Sequence, residues 1–210
     1  MSAVDPGIRP PAVKELESPV DTMHHAYENG RTHPLGATLD AGGVNFSLWS
    51  EHATGVEILL FQHHDDPEPY QTIKLDHKFN KTFQFWHCYV RGLRPGAYYA
   101  FRVDGPWDLA NGQRFNRNKV IIDPYAKATN SRLWNRGEAC GMGDNVTTSQ
   151  RCVVVDQAYD WEGDEPLNRR MSETIIYEMH VGGFTRHPSS GVVEAKRGTY
   201  AGLIEKIPYL

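Results

Sequence analysis

Val44-Asn-Phe-Ser-Leu-Trp-Ser50 and Val56-Glu-Ile-Leu-Leu-Phe-Gln62 decide the fold of this chain. In the first stretch Val44, Phe46 and Leu48 alternate with other residues and fall on one face of an extended chain, the period-two pattern of a half-buried strand. The second is apolar on both faces, as an interior strand is. Working outward, Tyr70–Leu75 is short and half polar. Phe83-Gln-Phe-Trp-His-Cys-Tyr-Val90 is aromatic and β-prone, and Ala97-Tyr-Tyr-Ala-Phe-Arg-Val-Asp104 follows a Leu93-Arg-Pro-Gly96 turn. Further turn signals stand at Asp40-Ala-Gly-Gly43, His64-Asp-Asp-Pro67 and Asp104-Gly-Pro106. Short strands between such turns predict a mainly β protein built on an immunoglobulin-like β-sandwich. Phe46, Leu48, Leu60 and Phe101 are its expected core.

On either side the pattern changes. Residues 1–30 are rich in Pro, Glu and Ser without periodicity, and a flexible arm is expected there. From 105 to 173 loops dominate, with brief apolar runs at Val120-Ile-Ile122 and Cys152-Val-Val-Val155. Asn130–Gln150 is long, Gly-rich and polar, and a loop of that kind needs a surface to lie on or a function. The expected division is therefore an arm over 1–30, a sandwich over 31–125, a connector over 126–173 and a different structure over 174–210.

That last stretch opens with Thr174-Ile-Ile-Tyr-Glu-Met-His-Val-Gly-Gly-Phe-Thr185, read as a buried strand. A short helix is expected over Tyr200–Ile204, with Pro208 opening another helix at its first turn. Strand, connection and helix make one βα unit of a parallel structure. A parallel strand needs a neighbour reached by a crossover. Ordering residues 174–210 alone costs about 55 kcal/mol at about 1.5 kcal/mol per residue. Offsetting that requires on the order of 2,200 Å² of apolar burial. The sequence thus reads as the front of a longer protein, or as a module with a poorly ordered tail.

Composition narrows the function classes. Apolar residues make up 40% of the 210 and charged residues 23%, with a net charge of −4, which is ordinary for a soluble globular chain. No basic stripe supports nucleic acid as a partner. No apolar run is long enough to span a membrane. The N-terminus has no apolar signal region and carries Asp5, Glu15 and Glu17, unlike a secretory or transit peptide. The three cysteines, Cys88, Cys140 and Cys152, have no metal-type spacing and suit a reduced cytoplasm. The ten histidines lack ligand spacing, so no metal or cofactor is expected.

Several separated strings, in order, carry a family resemblance. They are His33-Pro-Leu-Gly-Ala37, Gly43-Val-Asn-Phe-Ser-Leu-Trp-Ser50, Val56–Phe61, Trp86-His87 and Leu93-Arg-Pro-Gly96 with Tyr98. Arg102-Val-Asp-Gly-Pro-Trp107, Gly112, Arg114-Phe-Asn-Arg-Asn-Lys119, Asp123-Pro-Tyr-Ala-Lys127 and Tyr159-Asp-Trp161 follow. The series closes with Tyr177-Glu-Met-His-Val181, Gly183-Phe-Thr185 and Arg197-Gly-Thr-Tyr-Ala-Gly-Leu203, with Gly182 where many members carry Lys or Arg. From about residue 30 to 210 the chain resembles the N-terminal portion of isoamylase-type glycogen debranching enzymes of glycoside hydrolase family 13. These carry a family-48 carbohydrate-binding module before a (β/α)8 barrel.

The resemblance implies hydrolysis of α-1,6 branch linkages in glycogen or related α-glucans, with residues 174–210 as the start of an incomplete barrel. A non-catalytic glucan-binding module is the alternative, as is the N-terminal part of another family-13 enzyme such as a branching enzyme. The family's catalytic carboxylates lie at the ends of later barrel strands, so no residue here is expected to be catalytic and the chain alone is expected to be inactive. Its partners would be an α-glucan and the missing C-terminal catalytic barrel. Glu178 and His180, two apart on the expected strand, do not make the carboxyl pair that retaining hydrolysis needs.

The expected sugar contacts are Trp107 and Asp104, in Asp104-Gly-Pro-Trp107. An indole offers a rigid apolar platform with one polar edge, suited to the C–H face of a glucosyl ring. Trp49 and Trp86, each within an alternating strand, rank below them. Arg114, Asn116, Asn118 and Lys119 are expected chiefly to fix the connector against the barrel.

Overall fold

A computed structural model of the chain describes residues 24–210. Its first strands are β1 (Tyr27–Asn29), β2 (Gly36–Asp40), β3 (Gly43–Trp49), β4 (Gly55–Phe61), β5 (Gln71–Lys74), β6 (Lys81–Thr82), β7 (Phe85–Arg91) and β8 (Tyr98–Asp104). They are followed by β9 (Trp107–Asp108), β10 (Gln113–Arg114), β11 (Val120–Ile121), β12 (Ala128–Asn130) and β13 (Arg151–Val153). Two antiparallel sheets result. One runs β1-β7-β3-β2 with β6 on β7, and the other runs β12-β13-β8-β4-β5 with β11 on β8. The strands β9 and β10 form a separate ribbon.

The alternation read in the sequence sets the core. Val44, Phe46 and Leu48 of β3, with Trp86, Cys88 and Val90 of β7, face Ile58 and Leu60 of β4 and Tyr99 and Phe101 of β8. A fully buried side chain of this size contributes about 1.5–3 kcal/mol over its exposed state. Apolar residues on both faces of β4 are explained by a second cluster, where Leu59, Phe61, Ala100 and Val120 pack on the far side of the sheet. Arg151, only 1% exposed, caps that cluster with its guanidinium 3.8 Å from the Phe61 ring centre. It donates to the carbonyls of Val146, Ser149 and Asp66, so a buried cation is held by backbone acceptors.

The outer face of β3 is also covered. Asn45 and Ser47 are fully buried. The Asn45 amide accepts from the Arg31 N–H at 2.6 Å and donates to the Arg31 carbonyl at 3.0 Å, while Ser47 Oγ donates to the Thr32 carbonyl at 2.6 Å. Gly30 permits this close crossing, since a β-carbon there would lie 2.7 Å from Asn45 Oδ1 and from the Cys88 backbone. The arm expected over 1–30 lies outside the described residues as far as 23, and within 24–30 the chain already pairs, with Glu28 opposite Tyr89.

Two further strands differ from expectation. The stretch read as connector adds β12 and β13 to the second sheet, with Cys152 opposite Tyr99. Between them runs α1 (Arg136–Cys140), N-capped by Asn135. Among the described residues, no strand forms over 174–181, so the βα unit of a barrel is absent from this structure. Ile175 is 96% and Ile176 74% exposed, so the run read as a buried strand is not buried here.

Residues 159–210 make a unit distinct from the sandwich. It holds α2 (Val181–Phe184), capped by His180, and the expected α3 (Tyr200–Ile204), capped by Thr199. Glu178 and His180 are therefore not strand neighbours, and His180 Nδ1 accepts from the Gly183 N–H. Pro208 lies in the turns after α3 and opens no helix. Within the unit, buried Thr185 accepts from the Gly198 N–H at 2.8 Å, beside buried Val192.

Candidate functional site

The ribbon is built by a tight turn. Asp108 Oδ1 caps the single turn Leu109–Asn111 by accepting from the Ala110 and Asn111 N–H groups, and Gly112 follows in a left-handed conformation. The turn brings β10 back along β9 and sets Arg114 opposite Trp107. Directly paired residues project to the same face of a ribbon. Trp107 is half exposed, and its indole is available as a flat apolar surface.

Asp104, the other expected contact, ends β8. Its carbonyl accepts from the Thr54 N–H, and its carboxylate accepts from the Gly105 N–H at 3.0 Å. It lines a depression of about 260 Å³ with Glu57, Lys74, Arg102 and Arg117. Trp107 lines no part of that depression, so the structure does not bring the two expected residues into one pocket.

A larger cleft of about 550 Å³ opens beside the ribbon. Its apolar floor is Leu48, Val103, Phe115, Ile121 and Pro124. Trp49, His52, Gln113, Arg114 and Asn116 stand around it, and no carboxylate lines it. Phe115 reaches the floor because Gly105 makes room, where a β-carbon would lie 2.6 Å from Phe115 Cγ. Trp49, ranked below Trp107 in the sequence, is as exposed as Trp107. It is the last residue of β3, opposite Phe85, and lines the cleft. The signal was in the Ser50-Glu51-His52 string that breaks the strand just beyond it.

Asn116 and Lys119 of the polar string contact the stretch read as connector; no barrel is present among the described residues to test its fixing against one. Asn116 Nδ2 donates to the Met142 carbonyl at 3.1 Å, and Lys119 Nζ donates to the Glu138 carbonyl at 2.6 Å. Arg102 donates to Asp144 at 2.7 Å, and that guanidinium helps hold the carboxyl below its usual range despite partial burial. Among the described residues, Arg114 has no ion-pair or hydrogen-bond partner, and no cluster of His, Cys, Asp or Glu is set to hold a metal ion. No helix among them is long and apolar enough to cross a membrane.

The two sheets pack as a β-sandwich on which Trp49 and Trp107 are each half exposed. Residues 34–126 match the family described as carbohydrate-binding module 48, the isoamylase N-terminal domain. The chain is 40% identical over 181 residues to the glycogen debranching enzyme of Cronobacter sakazakii, covering 83% of this chain and 26% of that protein. It is 39% identical over 185 residues to the one from Dickeya chrysanthemi, covering 85% and 27%. The chain thus spans about a quarter of the length of the curated relatives it matches. In fold it is similar to the Group B Streptococcus pullulanase SAP, with TM-score 0.58, 22% identity and coverage of 87% of this chain and 23% of that one. A product complex of SpuA, a multi-modular glycogen-degrading pneumococcal virulence factor, gives TM-score 0.58 at 22% identity, over 87% and 18% of the two chains.

Proposed function

We propose that this chain supplies the N-terminal part of an isoamylase-type glycogen debranching enzyme that hydrolyses α-1,6 branch linkages in glycogen or a related α-glucan. The observation that carries the reading is the alignment of 83% of the chain, at 40% identity, with a glycogen debranching enzyme. In this reading the sandwich shapes the approach of the glucan, residues 126–173 lead onward, and residues 174–210 begin the catalytic barrel, where Ile175 and Ile176 find a neighbouring strand. The catalytic carboxylates belong to that barrel. Trp107 stacks on a glucosyl ring, and Asp104 accepts from sugar hydroxyls. Unpaired Cys88 and Cys152, both buried, support a reducing cytoplasm.

A chimera tests the proposal. The aligned N-terminal segment of the Cronobacter sakazakii relative is replaced by this chain, and release of linear chains from glycogen is measured. Branch cleavage by the chimera and none by the isolated chain is the expected result. A folded chimera without debranching activity, or hydrolysis by the isolated chain, overturns it.

A further inference from the structure

We infer that the cleft between Trp49 and the β9–β10 ribbon is a second α-glucan subsite, with Trp49 as its stacking platform. The inference rests on the reading that this chain meets α-glucan, and it goes beyond Trp107 and Asp104. The cleft of about 550 Å³ falls in the range of roughly 300–1,000 Å³ common for small-molecule sites.

Its chemistry matches a glucan on each count. A glucosyl unit has apolar C–H faces and a rim of hydroxyls. The cleft offers Leu48, Val103 and Ile121 beneath and an indole at the side. Around the rim, Gln113 presents both a donor and an acceptor, and Arg114 a planar fork of donors. Among the described residues neither side chain has another hydrogen-bond partner, so neither must give one up on binding. Without a carboxylate in the lining, a cationic ligand is disfavoured. Arg114 also faces Trp107 across the ribbon, so the subsite borders the platform expected from sequence. A glucan chain passing from one indole to the other is gripped at two points, and avidity rises without any new type of contact.

The test is maltohexaose titration by calorimetry and retardation in glycogen-containing native gels. It uses the full 210-residue chain and its Trp49→Ala, Gln113→Ala, Arg114→Ala and Trp107→Ala variants. Circular dichroism checks folding. Trp49→Ala is expected to weaken maltohexaose binding about tenfold, the scale of one lost stacking contact, with smaller losses for Gln113→Ala and Arg114→Ala. Should Trp49→Ala fail to fold, the two ribbon variants carry the same test. Wild-type affinity in all the cleft variants, with loss confined to Trp107→Ala, overturns the subsite and leaves glucan binding standing. No binding by the wild-type chain also overturns it, and the chimera then decides the enzyme reading separately. In the chimera Trp49→Ala must again weaken glycogen retention. An effect seen only in the isolated chain gives the cleft to the rest of the enzyme and overturns the subsite.

Discussion

The Tyr99 hydroxyl donates a 2.9 Å hydrogen bond to the carboxyl of Asp123, a group only 1% exposed. Tyr99 is in β8, and Asp123 begins the turn after β11, where it also accepts from the Tyr125 N–H at 2.8 Å. The pair therefore ties the end of the 34–126 segment to the middle of the core. Burial drives the Asp123 carboxyl above its ordinary value of 3.8 even though both hydrogen bonds pull the other way.

A pH dependence follows from that shift. A raised folded-state value favours the protonated carboxyl, so its stabilisation is full below 3.8 and is lost as pH rises through the raised value. Asp123→Asn removes the titration and keeps the shape. The melting temperature of wild type minus that of Asp123→Asn should rise as the solution is acidified from above that raised value toward the ordinary 3.8. A signed difference that stays constant or falls on acidification refutes the assignment. Tyr99→Phe should cost about 1–3 kcal/mol, read by urea denaturation, because a buried carboxyl loses a donor.

Thiol chemistry gives a second expectation. Burial pushes the Cys88 and Cys152 thiols up to about 12, while Cys140 is exposed at the end of α1. The thiolate is the reactive form. In a disulfide-exchange assay near neutral pH, the native chain should react quickly at Cys140 alone, and all three cysteines should react in denaturant. Fast native labelling of Cys88 or Cys152 would contradict the sandwich core described here.

Gly105 links stability to the cleft. Gly105→Ala places a methyl 2.6 Å from the Phe115 ring, which must shift from the cleft floor. The expected loss is about 1–3 kcal/mol. Phe115→Leu in the same chain should recover part of it, since the smaller side chain vacates the space. Strict additivity in that double-mutant cycle would show that the two residues do not meet.

The sequence carried the sandwich where alternation was strong. The strands β3, β4, β7 and β8 each bury apolar positions against the opposite sheet, and that burial is what writes a period of two into a chain. The strands β12 and β13 were not legible. Ala128-Thr-Asn130 has no pattern, and Cys152-Val-Val-Val155 lies in a loop-rich region, so only pairing with β8 reveals them. The apolar run after Thr174 forms no strand in this structure for the opposite reason. Its composition suits a buried strand, but a strand also needs a partner, and composition carries no record of one. Asp104-Gly-Pro-Trp107 pointed to an exposed Trp107, whereas the exposure of Trp49 was hidden within a pattern that ends at that residue.

The late arrival of β13 bears on how the protein is made and how it is cut. Strand β8 has one edge along β4, and its other edge is completed piecemeal by β11 and then by β13. During synthesis the second edge of Tyr98 and Tyr99, opposite β4, stays unpaired until residue 153 has left the ribosome. A polypeptide trimmed at residue 126, where the family match stops, never acquires that strand. It would present a bare, aromatic strand edge to its neighbours, a template for intermolecular pairing. A proteolytic fragment ending near Ala158 should stay dispersed where the shorter one precipitates.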